Sequence, residues 1–76
     1  MTLQEKIESY RSTIQMWGIR YRDRDASLSL EFLVYSGRWT CCVRSGDEKV
    51  SLYGNVENTP ELAIDSLIRN LTERMR

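Results

Sequence analysis

The sequence contains no histidine, a single proline, and two cysteines that are immediate neighbours, Cys41 and Cys42. Without histidine the chain lacks the commonest general base near neutral pH and the commonest metal ligand. Adjacent cysteines on a strand point to opposite faces, so they neither chelate one ion together nor bridge each other without distortion. A zinc site needs thiolates spaced by roughly two to four residues and a second pair elsewhere. This chain has neither, and no metal or other cofactor is expected. No apolar run approaches the roughly 20 residues that span a bilayer. The opening residues, Met1-Thr2-Leu3-Gln4-Glu5-Lys6, lack the apolar core of a secretion signal. Two thiols without a disulfide framework then suit a reducing, cytoplasmic setting. An excess of charge of one sign is missing too. Eleven basic side chains balance eleven acidic ones, so generic attraction to nucleic acid or an anionic membrane is not expected.

What remains is a folding pattern. The 76 residues, 41% apolar, make one domain over 1–76, at a size where a lone hydrophobic core barely suffices. Thr2 followed by Glu5 is a capping box, and Leu3, Ile7, Tyr10, Ile14 and Trp17 form one helical stripe. Gly18 is placed to end that helix. Ile19–Asp25 has no helical stripe and reads as a connector or a short edge strand.

From Ser27 to Tyr53 the period falls to two. Leu28, Leu30, Phe32 and Val34 share one face. A two-residue turn at Ser36-Gly37 would set Val34 opposite Trp39, Phe32 opposite Cys41 and Leu30 opposite Val43. A second turn at Ser45-Gly46-Asp47-Glu48 would set Val43 opposite Val50, Cys41 opposite Leu52 and Trp39 opposite Gly54, whose bare Cα leaves room for the indole. Both hairpins choose the same buried face. Phe32, Leu30, Val43, Leu52, Trp39, Ile14, Leu67 and Leu71 should form the core. Ser29, Glu31, Leu33, Tyr35, Thr40, Cys42, Arg44, Lys49, Ser51 and Tyr53 would line the opposite, open face. On that face Arg44 can neutralise Glu31 diagonally. Cys41 therefore points inward and Cys42 outward. Thr59-Pro60-Glu61 opens a last helix with a core stripe of Ile64, Leu67, Ile68, Leu71 and Met75, backed by Ala63. The expected architecture is α+β: a three-stranded antiparallel β-meander with two helices packed on one face, in the order α-β-β-β-α.

That order resembles the double-stranded RNA-binding domain. The resemblance implies phosphate contacts from a basic cluster at the start of the last helix, but Thr59-Pro60-Glu61-Leu62-Ala63-Ile64-Asp65 carries two carboxylates and no cation there. The histidine of the family's first strand-to-strand loop is also missing. Residues 39–71, through Thr59-Pro60-Glu61 with Ala63, Ile64 and Leu67, look like HicB-type antitoxin domains and small phage or prophage proteins. That resemblance implies a mobile-element setting and a local helix start, and transfers no activity.

The carboxylates are scattered over turns, helix faces and the open sheet face, and neither a phosphate loop nor a nucleophile–base pair is present, so no catalytic residues are assigned. Two surfaces could bind. Arg20, Tyr21, Arg22 and Arg24 alternate on the connector as a recognition strip, although Asp23 and Asp25 can neutralise it. Tyr35 and Tyr53 make the open face more apolar than solvent contact requires. The expectation is a small non-catalytic protein-interaction module, of phage or mobile-element type, that binds and modulates or inhibits a host protein or complex. A homodimer through a sheet edge or the open face is also open to it. The alternative is a nucleic-acid-binding domain working through the Arg-rich connector.

Overall fold

The computed structural model describes residues 2–20, 26–46 and 51–74, Arg20 by its backbone alone. Val50, Lys49, Met75 and the segment Tyr21–Asp25 lie outside the described residues, as do Asp47 and Glu48 of the expected second turn.

The capping box is present: Glu5 N–H donates to Thr2 Oγ1 at 3.2 Å and Thr2 N–H to Glu5 Oε1 at 3.3 Å. It opens helix α1, Leu3–Ser9. The single helix expected as far as Trp17 is broken at Tyr10, where φ is −100° and ψ 5° and the N–H turns back to Ile7 O. A second helix, α2 (Arg11–Arg20), then runs through Gly18 instead of ending there. Gly18 is buried inside α2 and does not terminate it. The stripe survives the break. Leu3, Ile7, Tyr10 and Ile14 pack against the core, and Trp17 is inside it.

Strands β1 (Ser27–Leu33), β2 (Arg38–Arg44) and β3 (Ser51–Tyr53) form an antiparallel sheet in the order β1-β2-β3. The first connection has four residues, 34–37, closed by Gly37 N–H on Leu33 O at 2.9 Å with Gly37 at φ 68°. The expected two-residue turn would have required positive φ at Ser36 as well, which a side chain resists; the longer loop needs it only at glycine. Every pairing therefore moves by two: Phe32 faces Trp39, Leu30 faces Cys41 and Leu28 faces Val43. A two-residue shift leaves each side chain on its expected face. The β2–β3 register moves likewise, to Val43 opposite Leu52 and Cys42 opposite Tyr53.

The longer turn has two consequences. Val34 and Tyr35 belong to the loop and not to a strand face. Phe32 sits in the last inward row before the tip, its ring 4.9 Å from that of Trp39, and stays 50% exposed, contrary to the core position expected for it.

Helix α3, Pro60–Arg74, starts at Thr59, whose Oγ1 accepts from Leu62 N–H at 3.2 Å. It buries Ala63, Ile64, Leu67, Ile68 and Leu71 against Cys41, Val43 and Trp17, with Leu28, Leu30, Trp39 and Leu52 packed around them. A fully buried Leu contributes about 1.5–3 kcal/mol, so this one layer contact carries much of the fold. All three helices lie on the predicted face of the sheet, and the α+β order α-β-β-β-α holds.

Gly54 differs from expectation. A Cβ on it would meet the Leu67 backbone N at 2.7 Å and Cα at 2.9 Å. The space is taken by the backbone of α3 and not by the Trp39 indole. Beyond Gly54 the chain pairs once more, Trp39 with Glu57, through N–H···O bonds of 2.8 Å each way. From Cys42–Tyr53 to Trp39–Glu57, β2 advances three residues and its neighbour four, so the extra residue forms a bulge. Ser66 of α3 accepts the Asn55 N–H freed there at 2.8 Å, and Asn70 Nδ2 donates to Tyr53 O at 3.4 Å. Helix α3 thus contacts the chain at the end of β3 and just beyond it.

Candidate functional site

The outward face of the sheet is built on the row Ser29–Cys42–Tyr53, one residue from each strand. Arg44, one step along β2 on the same face, lays its guanidinium across this row. Arg44 Nη2 donates to Glu31 Oε1 at 3.1 Å on one side and to Tyr53 Oη at 3.1 Å on the other. The Glu31–Arg44 pair is the one expected from the sequence, but it spans two rows, because the true register sets Glu31 opposite Thr40. Contact with the Cys42 thiol, then with Tyr53, raises the Arg44 pKa above its ordinary value.

This bridge overturns one expectation. Cys42 does lie on the outward face, yet it is fully buried beneath the Arg44 side chain, its Sγ 3.6 Å from Val43 O. A long side chain lying flat along a sheet can bury what the pleat alone would expose. Beside it, Ser29 Oγ is buried with no hydrogen-bond partner. Cys41, on the inward face, has its pKa pushed up to about 11 by burial. Both thiols are buried, whereas a reactive cysteine is exposed. Among the described residues, no group of three or more carboxylate, cysteine or histidine side chains is gathered as a metal site. No helix there is long and apolar enough to cross a membrane.

The two predicted binding tyrosines, Tyr35 and Tyr53, do not converge. Arg20 is the last residue of α2, and Tyr21, Arg22 and Arg24 lie outside the described residues. Tyr53 is on the outward face, 46% exposed and held by Arg44. Tyr35 stands at the hairpin tip, wholly exposed, next to Val34 at 81%. Four residues separate Arg38, at the base of that tip, from Cys42 opposite Tyr53, about 13 Å along the strand. The two tyrosines therefore belong to different surfaces. The tip is the more apolar, since Phe32 and Trp39 stack just below it.

A second polar cluster went unread in the sequence, which placed Asp65 on a solvated helix face. Asp65 of α3 accepts from Tyr10 Oη at 2.8 Å and pairs with Lys6 Nζ at 2.9 Å. Burial pushes its carboxyl up, but Lys6 and Tyr10, with the charge of Arg69, outweigh this and hold it below its ordinary value. The same carboxylate raises the pKa of both partners. The available signal was the four-residue spacing of Lys6 and Tyr10, which puts both on one side of a helix. Asp65 occupies the first turns of α3, where the RNA-binding resemblance would need a phosphate, and it is committed to a structural contact.

Comparison of the chain with protein-family models, with curated proteins and with solved structures gives no match.

Proposed function

We propose that the protein is a small non-catalytic interaction module whose β1–β2 hairpin tip docks onto a partner protein. The observation that carries this reading is the exposure of Val34 and Tyr35, at 81% and 108%, at a tip that the core does not use. Phe32 extends the patch toward the inward face, backed by Trp39. Clustered exposed apolar residues mark interaction surfaces, and tyrosine is among the side chains that dominate binding energy. The resemblance of residues 39–71 to HicB-type and small phage proteins supports a cytoplasmic host protein or complex as the partner, modulated or inhibited because part of its surface is covered.

The test is retention of a partner from a host extract by the parent chain, by Val34→Ser and by Tyr35→Ala. Both variants should keep the parent melting temperature, because neither side chain is packed, and both should release the partner faster. Equal dissociation rates for parent and variants would remove the tip from consideration. Retention of nucleic acid instead, lost steeply between about 50 and 200 mM salt, would favour the Arg-rich connector and overturn the protein-binding reading.

A further inference from the structure

The two edges of the sheet are treated differently. On the β3 side, Asn70 of helix α3 donates to Tyr53 O, and Ser66 accepts from Asn55 N–H just past the strand. Among the described residues, no strand pairs with the outer edge of β1. The direction of its backbone groups follows from its neighbour. Trp39 exchanges both of its bonds with Glu57, and Cys41 O accepts from Gly54 N–H, so the polar groups of these two residues point toward β3. Leu30 and Phe32, directly opposite them, are then in non-hydrogen-bonded pairs, and by alternation so is Leu28. The N–H and C=O groups of Leu28, Leu30 and Phe32 face this edge, which is unpaired among the described residues.

We infer that this edge pairs with the same edge of a second copy, antiparallel about a two-fold axis at Leu30, to give a continuous six-stranded sheet. Three features select this occupant and register. First, a two-fold perpendicular to the sheet keeps the helices of both copies on one side and requires like faces to meet. Centring on Leu30 pairs all seven residues of β1, with Leu28 against Phe32 of the second copy and Leu30 against its counterpart. Phe32, half exposed in one chain, gains a cover. Second, the polar face is complementary to itself. Glu31 falls opposite Ser29 of the second copy, so each carboxylate meets a neutral side chain and no like charge. Moving the axis to Glu31 would set carboxylate against carboxylate, which is unfavourable. Third, Leu28, Leu30 and Phe32 all present their backbone groups in this register, enough for about six inter-chain hydrogen bonds.

The test uses the full chain. Analytical ultracentrifugation through the micromolar range should show the mass rising from one chain to two. Amide exchange at Leu28, Leu30 and Phe32 should slow at least about tenfold with rising concentration, while amides of the hairpin tip do not respond. Phe32→Lys, at a half-exposed position, should hold the mass at one chain with an unchanged circular dichroism spectrum. If that variant does not fold, the exchange pattern of the parent still decides. Tyr35→Ala should dimerise as the parent does, which separates this edge from the tip. A mass that stays at one chain, or a dimer whose concentration-dependent protection falls elsewhere, overturns the inference.

Discussion

Cys41 and Cys42 are both fully buried, for different reasons. Cys41 is enclosed by helices, whereas Cys42 is covered by one charged side chain. Native protein should therefore leave both thiols unmodified by a bulky thiol reagent until denaturant is added. Arg44→Ala should make one of them, Cys42, react in the folded state, and reaction with two thiols or none would contradict the covering role. Gly54 makes a second case at this scale. Gly54→Ala drives a methyl into the Leu67 backbone at 2.7 Å, where no side-chain rotation can relieve it. It should cost about 2–3 kcal/mol. For a domain this small that lowers the melting temperature by roughly 10–20 °C, as a thermal scan will show. The facing of every strand residue was legible from period two, Cys42 included. Its burial was not, because it depends on where a long side chain lies down. Gly54 was legible as a site of close approach but not for what approaches, since a missing side chain does not name its neighbour.

Between elements, the most specific link is Asp65 with Lys6 and Tyr10, which joins α3 to α1 at the point where the first helix breaks. Its signs give a pH profile. The Asp65 pKa is lowered, so its contribution is present above the unfolded value near about 4 and is lost as pH falls through the folded value. Those of Lys6 and Tyr10 are raised from 10.5 and 10.0, so theirs is present below these values and is lost as pH rises through the folded ones. The stability difference between parent and Asp65→Asn, from urea unfolding, should be level near neutrality and shrink at both extremes. Tyr10→Phe should cost about 1 kcal/mol at pH 7. A difference independent of pH would mean that Asp65 acts by shape alone. The elements themselves were readable from capping and period, because caps and stripes are local. The break at Tyr10, the two-residue shift of both registers and the ten-residue reach of α2 were not. They are decided by a turn that spares Ser36 a strained φ and by contacts between α1 and α3, both non-local to the pattern.

In the whole molecule, three helices lie on one face of the sheet, and the other face is closed over its central row by Arg44. Among the described residues, Glu31, Arg44, Tyr53, Lys6, Tyr10 and Asp65 are engaged in contacts within the fold, and the hairpin tip and the edge of β1 are not. The tip could be found in the sequence only as Tyr35, since Val34 there reads as a strand residue until the turn length is known. The contacts of Asn70 with Tyr53 O and of Ser66 with Asn55 N–H bear on how far association can go. A sheet open at both sides can recruit copy after copy and grow into a filament. Among the described residues, the edge of β1 is the one without contacts of this kind. Two copies joined along β1, as inferred above, would each spend that edge, and growth through it would stop at the pair.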